Sequence, residues 1–251
     1  MKIETVLTPA ELPALAGRDL RTTACVVFDI LRATSTFVTA LQNGAQEIIP
    51  VSEISEAVDH HKTRPSALLA GERDGVRIRA AQSGGRDFDF GNSPREFTPD
   101  AVRGKTIVST TTNGTRALRA CMGAKTVLAA SFLNLSATAH FLRKGNYPEV
   151  ILVCAGTGEG VALEDVLAAG ALVELLSAQG ETRPTLTDSA QVALTTFAQM
   201  KTTLLAAISS SQNGRRLLSI PELHDDVAFC AQRDIYELVA MMNGDGALRR
   251  A

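Results

Sequence analysis

The segment Thr110-Thr111-Thr112-Asn113-Gly114-Thr115-Arg116 gathers four hydroxyls, an amide, a glycine and a guanidinium within seven residues. It follows the apolar run Thr106–Ser109 and leads into helical periodicity at Ala117, Leu118 and Cys121. A strand–loop–helix junction of this kind offers side-chain donors and free backbone N–H groups at the positive end of a helix, the parts that hold phosphate or another small anion. An ordinary helix cap also favours Thr and Asn, but capping does not need this many polar groups, nor Arg116. Asp29 ends another apolar run and is followed by Arg32 and Thr34, so a candidate metal ligand, nucleophile or base sits beside anion-holding groups. Arg73 follows a third apolar run, and Asn92-Ser93 lies in the long polar stretch after it. Gly156-Thr157 follows a fourth, with the acidic pair Glu164-Asp165 at the next helix start. That pair either complements the helix dipole or offers hard oxygen ligands to a cation.

These residues need a scaffold, and short apolar runs alternate with helical periodicity through Ala155. Strands are predicted at Thr23–Phe28, Glu47–Val51, Ala67–Ala70, Thr106–Ser109, Thr126–Ala130 and Val150–Ala155. Helices are predicted at Ala33–Gln42, Glu53–Lys62, Thr115–Met122, Leu135–Arg143, Leu163–Ser177 (closed by Gly180) and Ser189–Ser209. Repeated strand–helix units imply a layered α/β/α fold with a mainly parallel or mixed sheet. Ile235–Met242 reads equally as strand or helix. Gly71–Arg103 is too long and polar for a plain connection and reads as a functional loop, with a short helix expected to begin at Ser93-Pro94. Residues 1–180 form the expected main region carrying the motif loops. A break near Gly180–Arg183 separates residues 181–251, a C-terminal region expected to pack on the same domain.

In open α/β sheets, ligands bind beyond the carboxyl ends of the strands. The candidate catalytic residues are therefore Asp29, Arg32 and Arg73. Candidate substrate contacts are Thr34, Asn92, Ser93, Thr111, Thr112, Asn113, Gly114, Thr115, Arg116, Gly156 and Thr157. Asp29, Glu164 and Asp165 are the candidate metal ligands.

The 251 residues are 45% hydrophobic, 21% charged and only 4% aromatic, with a net charge of −2. A chain without Trp or a basic run is not expected to bind nucleic acid. No apolar run reaches membrane-spanning length, and the N-terminus shows no signal segment, so a cytoplasmic protein is expected. Cys25, Cys121, Cys154 and Cys230 are widely spaced beside apolar neighbours and read as buried reduced thiols.

Together, Phe28-Asp29-Ile30-Leu31-Arg32-Ala33-Thr34-Ser35-Thr36, Gly71-Glu72-Arg73, Gly91-Asn92-Ser93-Pro94, Thr111–Leu118 and Cys154-Ala155-Gly156-Thr157 with Glu164-Asp165 resemble the 2-phosphosulfolactate phosphatase family of coenzyme M biosynthesis. The resemblance implies Mg2+-dependent hydrolysis of a small anionic phosphoester to sulfolactate and phosphate; in the C-terminal third only the Asp226…Cys230 spacing matches. A homo-oligomer is expected. The rival readings are a phosphatase of another small acid and a non-catalytic anion-binding module. A haloacid-dehalogenase type of phosphatase needs an Asp where Leu31 stands. A nicotinamide oxidoreductase needs a third glycine where Val161 stands.

Overall fold

A computed structural model describes residues 1–178 and 183–251. Its strands are β1 (Lys2–Val6), β2 (Thr23–Phe28), β3 (Glu47–Val51), β4 (Leu68–Arg73), β5 (Val76–Arg77), β6 (Thr106–Thr110), β7 (Thr126–Ala130), β8 (Glu149–Cys154), β9 (Thr185–Leu186), β10 (Ala240–Met242) and β11 (Leu248–Arg250). The helices are α1 (Leu12–Ala16), α2 (Ala33–Gln42), α3 (Ile54–Thr63), α4 (Ala80–Ser83), α5 (Pro99–Val102), α6 (Gly114–Ala120), α7 (Leu135–Gly145), α8 (Leu163–Ala178), α9 (Asp188–Met200), α10 (Leu204–Ser210), α11 (Gln212–Leu218) and α12 (His224–Cys230). They make an α/β fold on one mixed sheet of order β5-β4-β6-β3-β11-β10-β7-β2-β8-β1-β9.

Two parallel sets are joined within that sheet. β4, β6 and β3 run parallel on one side, and β7, β2, β8, β1 and β9 on the other. Between them lies the antiparallel hairpin β10–β11, which pairs with β7 through β10 and with β3 through the Leu248–Ile48 partners. The undecided stretch Ile235–Met242 therefore holds strand only at its end.

Strand alternation builds the two outer layers. Every residue of β2 is buried. Ala24, Val26 and Phe28 join a cluster with Leu135, Leu142, Leu167, Leu172 and Phe197 from α7, α8 and α9. Cys25 and Val27 join the opposite cluster with Phe37, Leu41, Leu118 and Leu12 from α2, α6 and α1. Helix α8 is buried along most of its length, because it lies between the sheet and α9. All four cysteines are buried free thiols. Among the described residues, no helix is long and apolar enough to cross a membrane.

Two predicted elements are revised, and one strand lies where none was predicted. Ser189–Ser209 is not one helix: a 3-10 turn at Lys201–Thr203 separates α9 from α10. Gly71–Arg103 holds more regular structure than a loop: the end of β4, β5, α4 and α5, besides a 3-10 turn at Pro94–Glu96 where a short helix was expected to begin. Lys2–Val6, for which no element was predicted, is a strand paired with β8 and β9. Of the proposed break Gly180–Arg183, Gly180 to Thr182 lie outside the described residues.

Candidate active site

A cavity of about 280 Å³ opens where loops from both parallel sets meet α11. Asp29 stands in it at the end of β2. Its N–H donates to Thr34 Oγ1 at 3.0 Å, and its carbonyl accepts the Thr34 N–H at 2.9 Å. One carboxylate oxygen, Oδ1, accepts the Ala33 N–H at 3.1 Å. The other, Oδ2, receives no hydrogen bond from the described residues. Gly114 is the reason the β6–α6 loop can lie against it: a Cβ there would stand 2.5 Å from Asp29 Oδ2 and 2.7 Å from Ala33 Cβ. Surrounding protein and the charges of Glu72 and Glu164 push the Asp29 carboxyl up to about 7, against the Ala33 hydrogen bond and the Arg32 charge.

Glu72, on β4, ties two loops together. Its Oε1 accepts both the N–H and the hydroxyl of Thr112 at 2.9 Å, and its Oε2 accepts the Gly75 N–H at 2.7 Å. Asn113 reaches the other parallel set, where its Nδ2 donates to the carbonyls of Ala155 (3.0 Å), Gly156 (2.8 Å) and Gly158 (3.2 Å). Gly156 adopts φ +74°, and a Cβ there would meet Gly160 O at 2.4 Å. Asp165 closes the frame from α8: its two oxygens accept the Ile30 N–H (2.8 Å) and the Gly156 N–H (3.0 Å). Burial, Glu164 and Asp29 raise its carboxyl well above the usual range. Glu164 uses one oxygen to accept Asn213 Nδ2 at 2.7 Å, while its Oε2 is buried with no partner among the described residues.

Arg32 is 3% exposed and lines the cavity. Its guanidinium pairs with the fully buried Asp226 at 2.8 Å and donates to Gly75 O at 2.6 Å. Ser93 donates to the second oxygen of Asp226 at 2.7 Å, and the Asn92 carbonyl accepts the Thr36 hydroxyl at 2.8 Å. Thr157 Oγ1 accepts Asn213 Nδ2 at 2.6 Å.

The structure thus brings Asp29, Arg32, Asn92, Thr112, Asn113, Gly156 and Thr157 to one cavity. Thr34, Thr111 and Thr115 instead shape the loops from buried positions; Thr115, for example, donates its hydroxyl to the Thr111 carbonyl at 3.0 Å. Two expected anion contacts lie elsewhere. Arg73 turns back to Thr110 Oγ1 (3.0 Å) and the Glu72 carbonyl (2.7 Å), and Arg116 forms an exposed pair with Glu159 at 3.4 Å. Nor do Asp29, Glu164 and Asp165 form three open carboxylates, because backbone amides occupy both Asp165 oxygens; no three-residue metal cluster occurs among the described residues. Sequence reasoning placed Glu72 only in a motif and missed Asn213 and Arg216. All three line the cavity. Glu72 sits beside the arginine that drew notice, and α11 follows no strand, so a search of strand ends passes over it.

The family model described as 2-phosphosulpholactate phosphatase matches residues 7–245. Three similar proteins carry the name probable 2-phosphosulfolactate phosphatase. That of Thermotoga maritima is 40% identical over 220 residues, 87% of this chain and 89% of its own. That of Caldanaerobacter subterraneus subsp. tengcongensis is 38% identical over 228 residues, 90% of each chain. That of Synechococcus sp. (strain JA-3-3Ab) is 37% identical over 246 residues, 97% of this chain and 94% of its own. A match over nearly the whole length, on a chain whose motif loops build one polar cavity, places this protein in the 2-phosphosulpholactate phosphatase family.

Proposed function

We propose that this protein hydrolyses 2-phosphosulfolactate to 3-sulfolactate and phosphate in the cavity around Asp29. The observation that carries the reading is a carboxyl with one oxygen open in a polar cavity, beside a buried arginine held by Asp226 and the Gly75 carbonyl. Asp29 is the side chain placed to act on the attacking water. Arg32, held by Asp226 and Gly75, supplies a fixed positive charge for the phosphoryl oxygens. Thr112 and Asn113 set the cavity wall through Glu72 and the Ala155–Gly158 carbonyls. Asp165 orients the Asp29 and Gly156 loops rather than ligating an ion.

The donor set suits a hard divalent cation, and we assign it as Mg2+. Asp29 Oδ2 and Glu164 Oε2 are carboxylate oxygens without hydrogen-bond partners among the described residues, and a cation would relieve both the burial of the Asp29 charge, the main cause of its raised pKa, and the added repulsion from Glu72 and Glu164. Asp29 and Glu164 would hold the ion, which when bound draws charge from the phosphoryl oxygens.

Phosphate release from 2-phosphosulfolactate and a panel of other small phosphoesters, with magnesium or with a chelator, tests the reading. The expected result is magnesium-dependent turnover, fastest on 2-phosphosulfolactate and abolished in Asp29→Asn. A folded wild-type protein that releases no phosphate under either condition would overturn it.

A further inference from the structure

Two guanidinium groups line the cavity, and they differ in how their charge is balanced. Arg32 is buried and paired at 2.8 Å with Asp226, which is itself fully buried. The Arg216 side chain is 45% exposed, and its carboxylate neighbour is Asp74, 3.7 Å away on a side chain that is 95% exposed. Water screens so distant and open a pair strongly, so the charge of Arg216 stays available to a ligand. The group is nevertheless positioned. Its Nη2 donates to the Asp74 carbonyl. Its guanidinium lies 3.8 Å from where a Gly75 Cβ would stand, so it covers the glycine whose carbonyl Arg32 engages. The two arginines bracket the Asp74–Gly75 turn, Arg32 from the buried side and Arg216 from the open side. Helix α11, which carries Arg216, lies close against α10 at Gly214, where a Cβ would overlap Ile208 O at 2.0 Å. On the same helix, Asn213 reaches Thr157 and Glu164.

We infer that Arg216 is a specificity residue that recognises the anionic end of the substrate remote from its phosphate. The inference rests on the reaction proposed above. A phosphoryl group that reacts beside Asp29 lies at the inner part of the cavity with Arg32, so the sulfonate and carboxylate must extend towards the open side. A planar guanidinium there matches either oxyanion through paired N–H donors.

The test is binding rather than turnover, so that it stays separate from the phosphatase assay. Titration calorimetry would compare the wild type and Arg216→Gln with 3-sulfolactate and with inorganic phosphate. The variant is expected to bind 3-sulfolactate about ten- to a hundredfold more weakly, the loss of one or two charge-assisted hydrogen bonds, and phosphate within about twofold of wild type. Lactate and 2-hydroxyethanesulfonate, which keep only the carboxylate or only the sulfonate, identify the group that is read. Arg216→Lys should recover part of the affinity, because the charge remains and the fork is lost. Unchanged 3-sulfolactate binding, or an equal loss for phosphate, would overturn the inference. Absence of phosphatase activity in the wild type would instead count against the proposed reaction alone.

Discussion

Asp29 combines three constraints at one carboxyl: dense protein around it, acidic neighbours and a single backbone donor. Its pKa of about 7 lies above the value in an unfolded chain, so the folded state binds the proton more tightly between about pH 4 and 7. Its contribution to stability is therefore full below pH 4 and is lost as pH rises through 7. Asp29→Asn keeps an acceptor for Ala33 and removes the ionisation. The variant should lose at least about a hundredfold in turnover while gaining roughly 1–3 kcal/mol of stability at pH 8. Thermal unfolding of both proteins at pH 4 and pH 8 checks this; a variant less stable than wild type at pH 8 would contradict it. The Asp29 and Asn113 positions were legible because each follows an apolar run. Arg73, the last residue of β4, and Arg116, in the first turn of α6, drew the same reading yet point elsewhere, since a place near a strand end does not say which way a long side chain turns. Gly114 makes the residue-scale point most sharply. Gly114→Ala would set a methyl 2.5 Å from Asp29 Oδ2, and strain of this kind typically costs about 1–3 kcal/mol. Phosphate release should fall sharply in that variant, and wild-type rates would show that the loop yields.

Elements were read well wherever periodicity was long. α2, β2, β3 and β7 have the bounds predicted for them, because runs of buried residues with polar or turn-forming ends leave little choice. The three-residue strands β10 and β11 are too short to show a period, and their pairing is decided by the strands on either side. The junctions between elements carry the chemistry, and Asp165 is the main tie. It joins the β2–α2 loop to the β8–α8 loop by accepting one N–H from each. Asp165→Asn replaces one acceptor with an NH2 group facing a buried N–H, an unsatisfied contact worth about 1–3 kcal/mol. Stability and turnover should both drop, while the magnesium concentration giving half-maximal rate stays as in wild type. Glu164→Gln should instead raise that concentration. A raised magnesium requirement in Asp165→Asn would return Asp165 to the ligand set.

At the scale of the whole molecule, the cavity walls come from both parallel sets of the sheet. Asp29 and Gly156 follow β2 and β8, while Glu72 and Thr112 belong to β4 and the loop after β6. Four strands lie between β6 and β2 in the sheet order, and two of them are the hairpin formed by the last residues of the chain. The C-terminal segment is therefore part of the frame that sets one wall against the other. Its contact with β3 rests on Leu248, fully buried and paired with Ile48. Leu248→Ala should cost about 2–5 kcal/mol through the cavity left behind, with a single cooperative unfolding transition retained. A chain ending at Val239 lacks the hairpin altogether, leaving the inner edges of β7 and β3 unpaired, an aggregation-prone state. That chain is expected to lose phosphatase activity and to lose amide protection in β3 and β7 first, as seen by hydrogen exchange. If it instead keeps wild-type activity and exchange in both strands, the two parallel sets hold their relation through the helices, and the hairpin is only a filler.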